Sequence, residues 1–157
     1  MELTFKWSRL ESLTSLEFHE IISVRESVFV VEQQCAYQET DWLDLHSWHL
    51  AGRYDGDFAA YLRVIDPGMK YAQPSIGRVM ILPDFRGRHL GRALMNEGIR
   101  FAERIFAGLG IKISAQSYLI DFYESLGFVR AGESYMDDGI LHIDMIKSAL
   151  SAVETSK

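Results

Sequence analysis

The residues best suited to chemistry lie between Ser75 and Arg92. An apolar stretch, Ser75–Leu82, runs into Pro83-Asp84-Phe85 and then Arg86-Gly87-Arg88-His89-Leu90-Gly91-Arg92, after which a helical pattern begins. The first turn of a helix leaves four backbone N–H groups unpartnered and carries about half a positive charge. Glycines there remove side chains that would block a ligand, and three arginines add charge. The combination suits a di-anionic group such as a pyrophosphate. Glycine-plus-arginine runs are common, and a glycine turn with a solvated basic patch is the plain alternative. No Gly-x-x-x-x-Gly-Lys-Ser/Thr and no Gly-x-Gly-x-x-Gly opening a βαβ unit is present, so P-loop and dinucleotide sites are set aside.

The elements that must position this segment follow from periodicity and turn signals. Leu3–Trp7 alternates as a strand. Thr14-Ser15-Leu16-Glu17 is a capping box, with Leu13 and Phe18 placed for a hydrophobic staple. Phe18, Ile21, Ile22, Val28 and Phe29 mark the apolar face of a helix that ends near Glu32-Gln33. Cys35 to Ser47 reads as an acidic loop, and Trp48–Tyr54 and Phe58–Ile65 form a hairpin around Asp55-Gly56-Asp57. Ser75–Leu82 is the next strand. A helix over Leu90–Ala107 carries Leu90, Leu94, Phe101 and Ile105 on one stripe, where Gly98 allows close approach to a sheet. Strand Ile111–Ala115, a short helix Leu119–Leu126 ending at Gly127, and strands Phe128–Ser134 and Ile140–Ile146 complete the chain. The order β-α-β-β-β-α-β-α-β-β defines an α+β fold in a single domain, residues 1–150, with a loose tail at 151–157.

At 157 residues, with 48% hydrophobic residues, the chain can bury an adequate core. A net charge of −6 argues against nucleic acid or an anionic membrane as partner and suits a cationic small molecule or basic peptide. The single cysteine, Cys35, permits no intrachain disulfide. The N-terminus does not read as a signal peptide, and no apolar run reaches membrane-span length. The expected compartment is the cytoplasm.

The segment Leu82-Pro83-Asp84-Phe85-Arg86-Gly87-Arg88-His89-Leu90-Gly91-Arg92 resembles motif A of the GNAT superfamily of N-acetyltransferases, Arg/Gln-x-x-Gly-x-Gly/Ala. Arg86 and Gly91 match its ends, while His89 stands where the first glycine usually stands. About 30 residues on, Asp121-Phe122-Tyr123-Glu124-Ser125-Leu126-Gly127-Phe128 resembles motif B, with Gln116 in place of the usual asparagine. Arg25, Val28-Phe29-Val30-Val31-Glu32-Gln33, Tyr37, Glu39, Asp41, Asp44, His49 and the run Asp138-Gly139-Ile140-x-His142-Ile143-x-Met145 are similar to the ElaA-type branch. Together these cover nearly the whole chain.

The resemblance implies a strongly twisted mixed β-sheet flanked by helices, with strands Ser75–Leu82 and Ile111–Ala115 splayed apart around acetyl-CoA. Backbone groups near Val79, Met80 and Ile81 would pair with the pantetheine arm, and one N–H would polarise the thioester carbonyl. Amides of Gly87, Arg88, His89, Leu90, Gly91 and Arg92, next to Arg86, would hold the pyrophosphate. Tyr123 becomes the candidate acid for the leaving thiolate, since a phenol and a thiol have neighbouring pKa values; a packed aromatic is the plain reading. Glu39, Asp41, Asp44, His49 and His142 are candidates for binding the amine or acting as base; each also reads as a solvated loop acid or a structural histidine. For Arg25 and Glu32 an ion pair is the plain reading. A metal at His46 and His49 with Asp41 or Asp44 is not expected, nor is Cys35 as nucleophile. The expected activity is transfer of acetyl to a primary amine of a small molecule or peptide. The alternative is a non-catalytic acyl-CoA sensor or interaction module on the same fold. Exposed strand edges leave a homodimer open.

Overall fold

The computed structural model describes residues 2–150, so the expected tail at 151–157 lies outside the described residues. Strands β1 (Leu3–Arg9), β2 (Ser47–Tyr54), β3 (Asp57–Ile65) and β4 (Ser75–Ile81) form one antiparallel sheet in that order. A second sheet orders β5 (Ile111–Gln116), β8 (Ile140–Lys147) and β6 (Val129–Arg130), with β7 (Tyr135–Asp137) also paired to β8. The twisted sheet expected from sequence is thus realised as two four-stranded antiparallel sheets that meet along β4 and β5. The Lys112 amide donates to the Pro74 carbonyl at 3.1 Å, just before β4 begins, and no ladder joins the two strands further along among the described residues.

Helix α1 (Ser15–Arg25) opens with the expected capping box. The Glu17 amide donates to Thr14 Oγ1 at 3.1 Å, and the Thr14 amide donates to Glu17 Oε1 at 3.0 Å. The staple is a different matter: Phe18 remains 39% exposed. After Arg25 the same helix continues as a π-wound stretch, Glu26–Glu32, so the expected end is met with a change of winding in its last two turns. This keeps Val28 and Phe29 buried with Ile21. The acidic segment is not an open loop throughout, for Trp42–His46 forms a 3-10 turn.

Strand β3 is buried on both faces because each is covered. Ala60, Leu62 and Val64 join the main core with α2 (Leu90–Ile105), while Phe58 and Tyr61 join α1 and the π-wound turn. Alternation along Ala60–Val64 puts a helix on either side, and a register shift that skips Ala59 carries Phe58 to the same face as Tyr61. Gly98 brings α2 onto the sheet: a Cβ there would lie 2.9 Å from Leu62 Cδ2. Leu90, Leu94 and Phe101 are buried on this face, but Ile105, at the helix end, is 44% exposed. The expected strand Phe128–Ser134 shortens to β6 and then breaks, with Gly132 at φ 103°, before β7 resumes pairing. Helix α3 (Ile120–Glu124) closes the second sheet against the main core through Tyr123. Among the described residues no helix is long and apolar enough to cross a membrane.

Candidate functional site

The gap between β4 and β5 is a cavity of about 200 Å³. Its walls include Gly77–Val79 of β4, Ile113, Ser114 and Gln116 of β5, Tyr123 of α3, and Asp137, Asp138 and His142 of the last hairpin. On β4 the register against β3 slips. Tyr61 pairs with Met80 and Arg63 with Gly77, so Leu62 alone faces two residues, Arg78 and Val79. Arg78 takes φ 51°, in the left-handed region, and completes a β-bulge. A bulge re-aims main-chain groups, and this one does so on the cavity wall. A Cβ on Gly77 would meet nothing within 4 Å, so the wall is open to a ligand there.

Tyr123 is 8% exposed, packed edge-on against Phe122 and Phe128. Burial, then the nearby Tyr118, pushes its phenol pKa up to about 12. The hydroxyl therefore stays protonated at neutral pH and is available as a donor. Of the expected cofactor contacts, Val79, Gln116 and Tyr123 share the cavity. Met80 instead turns into the second core, and the Ile81 carbonyl is occupied by Arg86 Nε at 2.9 Å.

The arginine–glycine loop lies beyond the cavity, at the start of α2. His89 is the N-cap of that helix, at φ 60°, and makes no side-chain cap bond. The position usually held by glycine thus has a left-handed backbone, and His89 adopts it. Added Cβ atoms at Gly87 and Gly91 would meet nothing within 4 Å. An open helix start without a side-chain cap fits a pyrophosphate. The three arginines divide. Arg86 makes a two-pronged pair with Glu32, at 2.5 and 2.8 Å, and so ties the loop to the π-wound turn. Arg88 lies over Tyr54 at 5.1 Å, and Arg92 over Phe122 at 5.6 Å with a 2.8 Å bond to Ser125 Oγ. Neither forms an ion pair among the described residues, and both flank the open helix start.

The candidate acceptor residues are placed differently from the expectation of loop acids in solvent. Glu39 and Asp44 are 7% and 5% exposed. Arg25, itself 1% exposed, donates to Glu39 at 2.6 and 2.7 Å and to Asp44 at 2.8 and 3.1 Å. Arg63 bonds Asp41 at 2.7 and 3.1 Å and Asp44 at 2.8 Å, while Arg78 bonds Glu39 at 2.9 Å. Burial alone would raise the pKa values of Asp41 and Asp44, but the arginine bonds outweigh it and both are lowered. His49 is buried too. Its Nε2 donates to the Asp44 carbonyl at 3.0 Å, leaving Nδ1 to accept from Tyr61 at 2.6 Å. Burial lowers its pKa, with Asp44 opposing, so it stays neutral. Arg25 and Glu32 are each ion-paired, though not to one another.

Glu39, Asp41, Asp44 and His49 therefore build a block behind the cavity and do not line it; the residues of that block that face the cavity are Arg63 and Arg78. His142 does line it. Its Nδ1 donates to the Ile140 carbonyl at 2.7 Å, which leaves Nε2 with its lone pair. Lys70 and Asp137 on the rim are not singled out by the sequence, and Asp138 enters there only within the ElaA-like run. Among the described residues no three His, Cys, Asp or Glu side chains gather as a metal site.

The sequence matches the acetyltransferase (GNAT) domain family over residues 18–149. It is 41% identical to a UPF0039 protein of Synechocystis, across 93% of this chain and 96% of that one. It is 31% identical to the protein ElaA of Escherichia coli, across 94% and 99%. The crystal structure of an acyl-CoA N-acyltransferase from Pseudomonas aeruginosa superposes with a TM-score of 0.89 at 39% identity, over 94% of this chain and all of that one. Escherichia coli ElaA superposes with a TM-score of 0.87 at 29% identity and the same coverage. A bulged strand facing a protonated tyrosine across an open seam, an uncapped glycine-flanked helix start, and these matches over nearly the whole length place the chain in the GNAT acyltransferase family, in its ElaA-like branch.

Proposed function

We propose that this chain transfers the acetyl group of acetyl-CoA to a primary amine of a small molecule or peptide, by direct attack of the amine on the thioester. The supporting observation is Tyr123, buried on the cavity wall across from the β4 bulge with its proton retained. The thioester supplies an activated acyl group. Amides from Gly87 to Arg92 hold the diphosphate, with Arg88 and Arg92 at its sides. The bulged backbone at Val79 donates to the thioester carbonyl as negative charge develops on it. Tyr123 donates its proton to the departing thiolate. His142, whose Nε2 keeps a lone pair, is the candidate in reach of the cavity to take the proton of the incoming ammonium. The lone cysteine suits a cytoplasmic setting.

The experiment is thiol release from acetyl-CoA with a panel of amines. Replacing Tyr123 by Phe lowers kcat by about 10²–10⁴-fold, the usual weight of a positioned acid. Coenzyme A affinity, measured by calorimetry, stays within a factor of about three, since the ring and its packing are kept. Coenzyme binding with no thiol release from any amine would replace this reading with the silent sensor.

A further inference from the structure

Among the described residues the cavity carries one cation, Lys70, outside the balanced block behind it. Arg25, Arg63 and Arg78 face Glu39, Asp41 and Asp44, so three guanidiniums meet three carboxylates and the block is balanced. Lys70, on the loop between β3 and β4, lines the same cavity in addition. It forms no ion pair among the described residues; its ammonium lies over the Tyr71 ring at 5.4 Å. The Nε–H of Arg63, on this wall, is buried without an acceptor. Lys70 is exposed at the cavity mouth; packing around its stem, and then the charge of Arg63, hold its pKa below that of an ordinary lysine, with Asp137 acting in the opposite direction. The same cavity is also lined by Asp137 and Asp138, exposed and in no ion pair among the described residues, and by His142; Asp137 lies within electrostatic reach of Lys70.

A plain amine would meet Asp137 and Asp138 but leave Lys70 and the Arg63 Nε–H without an anion. A plain acid would do the reverse. We infer that the acceptor is a small amine bearing a carboxylate close by, of the amino acid class, with the carboxylate at Lys70 beside Arg63 and Arg78 and the amine beside Asp137 and Asp138. This rests on the acyl-transfer reading above and names its substrate. The ammonium gives one proton to His142. Its nitrogen then forms the C–N bond as the C–S bond breaks. The electron pair leaves with sulfur, which takes the Tyr123 proton. The new amide nitrogen gives its second proton to solvent, from which Tyr123 is reprotonated. His142 returns the first proton to solvent, so one proton is released per turnover.

The test uses three matched series built on glycine, leucine and lysine: the amino acid, its carboxamide, and the amine left when the carboxyl is removed. In the wild-type chain kcat/KM for the amino acid exceeds that of both partners by about tenfold or more, as expected where a site is built to pair a polar group. Lys70→Met removes this preference by raising KM for the amino acid, with KM for acetyl-CoA unchanged, and Lys70→Arg keeps it. Equal or faster turnover of the carboxamides or decarboxylated amines would overturn the inference while leaving acyl transfer intact. Failure to release thiol with any member of any series would overturn both.

Discussion

Two sets of arginines stand apart, one in the block at the cavity wall and one at the start of α2 beyond it, and the same side chain sits in a different setting in each. Arg25, Arg63 and Arg78 are held by Glu39, Asp41 and Asp44 in a block with Arg25 and Asp44 almost wholly shut off from water. Arg88 and Arg92 lie on the outer surface over aromatic rings, without carboxylate partners among the described residues. The first set has most of its donors on internal carboxylates, with Arg63 Nε left over; the second, on the proposed reading, offers its charge to the diphosphate of coenzyme A. Guanidinium geometry is common to both. The difference lies in burial and in what already occupies the donors.

The largest effect expected from this contrast comes from Arg25→Met. It leaves buried Glu39 with Arg78 and buried Asp44 with Arg63, each short of the partner that Arg25 supplied, and removing one partner from a buried ion-pair network costs up to about 3–5 kcal/mol. Urea unfolding should show that loss. Arg88→Met, in the other set, should leave unfolding unchanged within about 0.5 kcal/mol and weaken coenzyme A binding. If both variants unfold alike, the division between a structural and a ligand-binding set fails.

Gly91→Glu sharpens the second half of the comparison by separating fold from ligand. The added side chain enters open space in the first turn of α2. A carboxylate at a helix start favours the helix by about 0.3–1 kcal/mol. The same carboxylate beside a diphosphate sets like charges together, at several kcal/mol. Unfolding stability should therefore hold or rise while coenzyme A affinity drops by roughly 100-fold. Unchanged affinity would remove the pyrophosphate from this loop.

Acid sharpens the first half. His49 has a lowered pKa in the fold, so the unfolded chain binds its proton first. Stability falls as pH drops below the unfolded value near 6.5. Asp41 and Asp44 are also lowered. Their contribution is complete above the ordinary carboxylate pKa, near 4, and is lost as pH falls toward their folded values. The melting temperature should decline in two stages, the first absent in His49→Gln. A single stage that His49→Gln leaves unaltered would contradict the neutral, buried imidazole.

What could be read from sequence follows the same division. The capping box, the α2 stripe and the Gly98 approach depend on residues a few positions apart, and the local pattern carries them. The glycine loop and Tyr123 were legible because each sits on a short motif. The arginine–carboxylate block was not, because Glu39 meets Arg25 and Arg78 from positions 14 and 39 residues away. Only folding makes them neighbours. One signal was available: Arg63 interrupts an otherwise apolar strand, and a charge there must find a partner. The π-winding of Glu26–Glu32 has no comparable mark, since its composition is that of an ordinary helix.

The smallest effect concerns His89, where a motif position is filled by another residue. Its backbone is left-handed, at φ 60° and ψ 22°, and a residue with a Cβ pays about 1–2 kcal/mol there. Glycine relieves that strain but loses about 0.5–1 kcal/mol more chain entropy on folding. His89→Gly should thus raise stability by roughly 0.5 kcal/mol, within the reach of urea midpoints on paired samples. Coenzyme A affinity should stay the same or improve a few-fold, since the amides keep their direction and the side chain makes no cap bond. A loss of affinity would mean that the imidazole itself meets the phosphate. The exposed set of cations would then include His89 alongside Arg88 and Arg92, and the family's glycine would have been exchanged here for a ligand.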